Sequence, residues 1–220
     1  MTSRIAIIPA REGSKRIKLK NIKIFKKKPL IKITLENLKK SNFFRKIHVS
    51  TDSTKIKKIV EKEGVKVDFL RPKYLAKDKI STAKVIDYVI KKYKKIDIHY
   101  DEVWLFFVSN PFLNSKHIKE AYKIYNQNKK KFSVMSVSKF NYPINWAMEL
   151  DKNNFLKPIK FKNKSIKKNK VYCEAGMFCI YQKNFLKNRN LIKFKPYLIP
   201  IWKTVDIDDM EDFKLAEKLF

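Results

Sequence analysis

Short apolar runs alternate with amphipathic stretches along this chain, and that alternation predicts an α/β fold. Residues 4–9 form a compact apolar run that reads as a buried parallel strand. A polar loop follows to about residue 28, and Pro29 then opens a helical stretch to Asn42, with Ile33, Leu35 and Leu38 on one face. Residues 46–50 read as a second strand. Ser53 is placed to cap a helix that runs to Glu63 and stops at Gly64. A third strand is expected over 65–70, closed by Arg71-Pro72, and a loop over 73–83 leads to a helix capped by Thr82. Residues 102–108 predict the next strand, Ser115 the cap of a helix to Asn128, and 132–137 a further strand.

Regularity fails over 138–170, where prolines, aromatics and the lysine-rich tract 160–170 replace the alternation. Strands are expected again at 171–181 and 197–202, then a helix over 210–220. The whole, 1–220, reads as one domain with an excursion at 138–170. The repeated strand–helix unit predicts a three-layer, Rossmann-like sandwich around a mostly parallel sheet. Ligands of such folds gather beyond the carboxyl ends of the strands.

Composition changes this picture little. The chain has 220 residues, of which 44% are hydrophobic, so it can bury a core without disulfides or metal. Its 52 basic and 21 acidic residues give a formal charge of +31. A basic nucleic-acid-binding protein is the alternative reading of that charge. Lysine dominates, however, and is scattered along the chain, so a solvated basic surface around a site for anionic substrates is preferred to specific nucleic-acid binding. Cys173 and Cys179 have a spacing that matches no common zinc pattern, and His48, His99 and His117 form no evident cluster. No apolar run approaches the ~20 residues of a membrane span, and the first apolar segment is too short for a signal-peptide core. A soluble cytoplasmic protein without a membrane partner is expected.

Chemistry concentrates in two places. The loop after the first strand reads Pro9-Ala10-Arg11-Glu12-Gly13-Ser14-Lys15-Arg16-Ile17, followed by Lys20-Asn21. Gly13 permits a tight turn whose amides could cradle an anion, and Arg11, Lys15, Arg16 and Lys20 add positive charge. The order is neither a Walker A motif nor a dinucleotide fingerprint. Near the other end, Val205-Asp206-Ile207-Asp208 places two carboxylates on one side of an extended segment. Beside a triphosphate such a pair suits Mg²⁺. Asp209, Glu211 and Asp212 suit a helix N-terminus.

The ordered loop motif resembles the N-terminal signature of the CMP-sugar synthetases, the cytidylyltransferases of sialic, legionaminic and pseudaminic acids. The resemblance continues at Val49-Ser50-Thr51-Asp52-Ser53, Leu70-Arg71-Pro72, Ser81-Thr82 and the Asp206/Asp208 pair. It implies the nucleotide-diphospho-sugar transferase fold and transfer of CMP from CTP to a nine-carbon acidic sugar, with release of pyrophosphate. By position, Ala10, Arg11, Gly13, Ser14, Lys15, Lys20, Asn21, Arg71, Ser81 and Thr82 would meet the nucleotide. Lys15, Lys20, Asp206 and Asp208 would be the catalytic set, the two aspartates holding Mg²⁺. Phe107 with Pro111-Phe112-Leu113, where sialic acid synthetases carry a glutamine-led stretch, and Tyr172-Cys173-Glu174-Ala175-Gly176 resemble the pseudaminic branch, with N-acetylneuraminic or legionaminic acid as the alternative acceptors. Phe107, Lys164, Tyr172 and Glu174 are accordingly expected at the sugar. Two departures, Lys164-Ser165-Ile166-Lys167 and Cys173 in place of a histidine, fall in this sugar region. The family also implies a homodimer built through the excursion.

Overall fold

The computed structural model describes residues 2–127, 131–159, 171–182, 185–186 and 192–220. In chain order its strands are β1 (Arg4–Pro9), β2 (Ile24–Phe25), β3 (Lys28–Pro29), β4 (Lys46–Ser50), β5 (Glu102–Phe106), β6 (Ser133–Lys139), β7 (Met148–Leu150), β8 (Leu156–Pro158), β9 (Tyr172–Tyr181) and β10 (Phe194–Leu198). The α-helices are α1 (Leu30–Ser41), α2 (Thr54–Lys62), α3 (Thr82–Lys94), α4 (Ser115–Gln127) and α5 (Met210–Leu219). Six strands form the central sheet in the order β10-β6-β9-β5-β1-β4. β1 lies parallel to β4 and β5, β10 lies parallel to β6, and β9 runs antiparallel between β5 and β6.

Side-chain alternation along β1 creates the layers. Ala6 and Ile8 enter a core shared with residues of α1, α2, α4 and α5. Ile5 and Ile7 turn the other way, against Ile86, Val89 and Tyr93 of α3. Both faces of the sheet are therefore covered, and β1 has no polar residue between its ends because neither face meets water. The capping chemistry follows local rules. Ser53 Oγ accepts the Ile56 N–H at 3.3 Å, and Asn42 closes α1 in the left-handed conformation. Asp209 and Asp212 form a reciprocal capping box at the start of α5.

Several expected boundaries are corrected. Residues 65–70 form no strand. Val65 and Val67 are buried, but the Val65 N–H goes to the Val60 carbonyl and the Val67 N–H to the Glu61 carboxylate, so no ladder forms on β4. Apolar alternation there reflects burial, not pairing. Ser81, not Thr82, precedes α3, and no side chain caps it. At α4 it is Asn114 Oδ1 that accepts the His117 N–H, at 3.1 Å, while Ser115 is already helical. The last strand ends at Leu198, because Pro200 cannot donate to a ladder and a 3₁₀ turn follows at Ile201–Lys203. Within the excursion β7 and β8 pair as a hairpin of exposed residues. Among the described residues no helix is long and apolar enough to cross a membrane.

Candidate active site

The loop that leaves β1 is tied at three points. The Ala10 N–H continues the sheet by donating to the Ser50 carbonyl at 2.9 Å. The Glu12 N–H donates to Asp52 Oδ1 at 3.1 Å, and Asn21 Nδ2 donates to the Arg11 carbonyl at 2.9 Å. Held this way, the loop forms one wall of a cavity of about 490 Å³ beyond the carboxyl ends of β1 and β5. Of the residues expected at the nucleotide, Arg11, Ser14, Lys15, Lys20, Asn21, Arg71 and Thr82 line it, and Phe107 and Asp208 join them. Ala10 is buried beneath the loop and Ser81 is exposed at the start of α3, neither on the cavity wall. Gly13 is also off the wall. The tight turn is there, the Ser14 N–H donating to the Glu12 carbonyl at 2.8 Å. The Gly13 φ is not left-handed, however, and an added Cβ would meet nothing within 4 Å, so the turn does not require glycine.

Arg71 sits at the inner end. It is 5% exposed, and among the described residues its Nε and Nη2 have no hydrogen-bond partner. Its backbone N–H is fixed by the Thr51 carbonyl at 2.7 Å. Burial lowers its pKa, with the Asp52 charge opposing that shift and Arg11 adding to it. A buried guanidinium with unused donors is primed for an acceptor on a ligand.

The acidic segment approaches from the opposite side. The Ile207 N–H donates to the Ser109 carbonyl at 2.9 Å, which anchors the segment beyond β5. Asp208 is engaged by Arg16 at 2.7 Å and by Lys20 at 3.0 Å. Lys20 also donates to the Ile207 carbonyl at 2.6 Å. Burial works against ionisation of Asp208, but Lys20 and then Arg16 outweigh it and hold its carboxyl below the ordinary range. Asp206 differs. Among the described residues it makes no ion pair, and desolvation in its recess raises its pKa despite a hydrogen bond from Ser109. The Asp208 charge raises it further. Although solvent reaches Asp206, protein crowds its carboxylate.

Gly176 explains how Asp206 fits. The pairing of β6 with β9 shifts register between Met135 and Val137, and Gly176 lies there with φ of 61°. A Cβ on Gly176 would stand 3.0 Å from Asp206 Cγ and Oδ2. Glu174, two residues earlier, feels the same neighbour. Desolvation raises its pKa first, and the Asp206 charge second. Tyr172 is exposed at the start of β9, opposite Lys139 by register, and Cys173 Sγ faces the Ser138 carbonyl at 3.8 Å. Glu174 and Tyr172 do not line the main cavity. Lys164, with the altered tract around it, lies outside the described residues.

Sequence reasoning missed other lining residues. Ile17, Leu75, Ile80, Val85 and Val108 supply apolar wall, Ser109 supports Asp206, and Asp78 pairs with Arg11 and Lys15. The position of Ser109 just past β5 was a usable signal, whereas nothing in the local sequence marks Asp78. The three histidines take structural places or the surface. His48 is buried, with Nδ1 3.0 Å from the Tyr93 hydroxyl, and burial lowers its pKa to about 3. His117 packs against Asn114, and His99 is exposed beside Asp97. A cationic recess walled by a buried guanidinium and by Asp208 suits a polyphosphate ester that carries a heterocyclic base.

A family model described as cytidylyltransferase matches residues 5–219. The chain is 34% identical over 223 residues to a pseudaminic acid cytidylyltransferase of Campylobacter jejuni, covering 98% of this chain and 95% of the relative. It is 32% identical to a CMP-N,N'-diacetyllegionaminic acid synthase of Legionella pneumophila, covering 98% of this chain and 95% of that one. Among solved structures, a CMP:2-keto-3-deoxy-manno-octonic acid synthetase in complex with CTP aligns with a TM-score of 0.70. That alignment covers 99% of this chain and 98% of the other at 14% identity, which supports the fold.

Proposed function

The chain belongs to the cytidylyltransferase family, and from that premise we propose that it transfers CMP from CTP to a nine-carbon acidic sugar, with pseudaminic acid as the preferred acceptor. One observation carries the reading. A single cavity brings the Arg11–Lys20 loop, the buried Arg71, whose Nε and Nη2 have no partner among the described residues, and Asp208 onto shared walls, with Asp206 near Asp208.

In this reading Arg71 donates to the base, while Arg11, Lys15, Arg16 and Lys20 hold the phosphates. Asp52 and Asn21 keep the loop in place by their bonds to its backbone. The anomeric hydroxyl of the sugar attacks the α-phosphorus in line. A bond forms between the anomeric oxygen and the α-phosphorus, and the bond from the α-phosphorus to the oxygen bridging the β-phosphate breaks. Pyrophosphate leaves with that electron pair, and the hydroxyl proton passes to solvent. The protein contributes positioning and charge stabilisation, with no covalent intermediate. Lys20 stays beside Asp208, close to where charge develops.

The donor set fits a hard divalent cation. The two carboxylates are close enough for the Asp208 charge to raise the Asp206 pKa, and among the described residues Asp206 makes no ion pair. Among the described residues no group of three or more ligating side chains forms a closed metal cage, so phosphate oxygens and water would complete the shell. Bound there, Mg²⁺ would neutralise phosphate charge and orient the acceptor oxygen. A cytoplasmic location, where thiols such as Cys173 and Cys179 stay reduced, goes with this reading.

The excursion supports a homodimer. Tyr142, Trp146, Met148, Leu150, Phe155 and Leu156 are all more than half exposed, around a recess of about 350 Å³ lined by Phe140, Pro143 and Trp146. An apolar surface of that kind on a chain of charge +31 calls for cover. Sedimentation at ~0.15 M salt, where surface charges are screened beyond about 8 Å, should give twice the 26.3 kDa chain mass. A persistent monomer under those conditions would refute the dimer.

The function is tested by pyrophosphate release from CTP with Mg²⁺, offering pseudaminic, legionaminic and N-acetylneuraminic acids in parallel. Release with pseudaminic acid above the other two is expected. Silence with all three, despite CTP binding, would overturn the acceptor class.

A further inference from the structure

The cavity holds a carboxylate that the transfer reaction does not need. Asp78 lies on the loop between the 3₁₀ turn Lys73–Ala76 and α3, and it lines the same cavity as the phosphate-side cations. It forms ion pairs with both Arg11 and Lys15, the second at 2.7 Å. Arg11 also donates to the Ala76 carbonyl at 3.2 Å, so the first loop and the 76–78 segment are joined. Among the described residues Arg11 and Lys15 have no other ion-pair partner. The Lys15 and Arg11 hydrogen bonds lower the Asp78 pKa, so it is fully ionised at neutral pH.

Resting on the nucleotide reading above, we propose that Asp78 is an internal competitor for the phosphates, a positioning and specificity residue that occupies Arg11 and Lys15 until a polyphosphate displaces it. The argument is one of charge and geometry. A carboxylate oxygen presents the same acceptor to a guanidinium and an ammonium as a phosphate oxygen does. In the empty protein it holds the ammonium of Lys15, whose side chain is otherwise 80% exposed, at 2.7 Å. When phosphates arrive, the cations exchange one anion for another, and Asp78 then faces like charge. Every ligand that uses Arg11 and Lys15 meets this competition, and so does pyrophosphate as it leaves. A ligand that reaches only the base pocket meets none.

The competition is modest, because exposed ion pairs are weak. Asp78→Asn and Asp78→Ala are therefore expected to tighten pyrophosphate and CTP by about three- to tenfold, and to leave cytidine unchanged within about twofold. Asp78 is half-exposed on a loop, and the asparagine preserves its shape. Calorimetric titration of wild type and both variants with pyrophosphate, CTP and cytidine measures all three. No gain in pyrophosphate affinity in either variant, including no measurable binding throughout, overturns the proposal. Equal tightening of cytidine also overturns it, since that would show a general change in the cavity. The pyrophosphate arm needs no base, so a wild type that binds pyrophosphate but binds CTP no more tightly, and cytidine not at all, refutes the cytidylyltransfer reading alone.

Discussion

Asp206→Asn is expected to cut turnover by roughly a hundredfold or more while leaving CTP affinity within about threefold, and to make the metal-free chain more stable at neutral pH. The two aspartates are chemically unlike despite their spacing. Asp208 is paired directly with Arg16 and Lys20, whereas Asp206 makes no ion pair among the described residues. The Ser109 hydrogen bond and the more distant Lys20 charge do not offset the desolvation of Asp206 and the Asp208 charge. Since Asp206 does not line the nucleotide cavity, its loss should spare binding and strike the chemical step. The stability effect has a definite sign. Asp206 is raised in the folded state, so its ionised form disfavours folding. Below the ordinary carboxylate range it is neutral in folded and unfolded chains alike, and the variant gains nothing. As pH rises through the raised pKa, the wild type loses stability and the asparagine does not. Urea midpoints at pH 4 and pH 7 should therefore diverge only at the higher pH. Mg²⁺ should lift the wild-type midpoint more than the variant's. A less stable variant at pH 7 would mean that the Asp206 charge is already compensated.

Much of the fold was legible because its signals are local. The apolar run of β1 and the caps at Ser53 and Asp209 are decided by neighbours within a few positions. Residues 65–70 misled for a physical reason: Val65 and Val67 alternate because one side is buried, and burial alone does not dictate where backbone amides pair. The loop chemistry was legible as residue types in order. Its partners were not, since Asp78 reaches Arg11 and Lys15 across more than sixty positions of chain. The contrast between Asp206 and Asp208 was equally hidden. Spacing puts both on one side of an extended segment, but which one meets Lys20 and Arg16 is decided by the loop after β1. Gly176 appeared only as part of a motif, and its reason is tertiary, the bulge that admits the Asp206 carboxylate.

Arg71→Met is expected to weaken CTP and cytidine binding by about 10- to 100-fold, to leave pyrophosphate binding within about twofold, and to stabilise the empty protein by about 1–2 kcal/mol. A guanidinium only donates, so it meets the acceptor edge of a pyrimidine and not its amino group. Among the described residues Nε and Nη2 have no partner, and both atoms are buried from water in the empty protein. Without nucleotide, those donors are desolvated and unused. Asp52 offsets part of the burial penalty through its charge, while Arg11 adds to it. Methionine fills similar space without charge, so the penalty disappears together with the recognition. Because a guanidinium stays protonated across the working range, this stability gain should be flat with pH, unlike that of Asp206→Asn. Arg71→Lys should not restore affinity, since an ammonium on a shorter reach cannot reproduce two forked donors. Calorimetry with CTP, cytidine and pyrophosphate separates the outcomes. Loss confined to the ligands with a base places Arg71 at the base. An equal loss of pyrophosphate would move it to the phosphate side, and the assignment of the inner pocket to cytosine would fall with it.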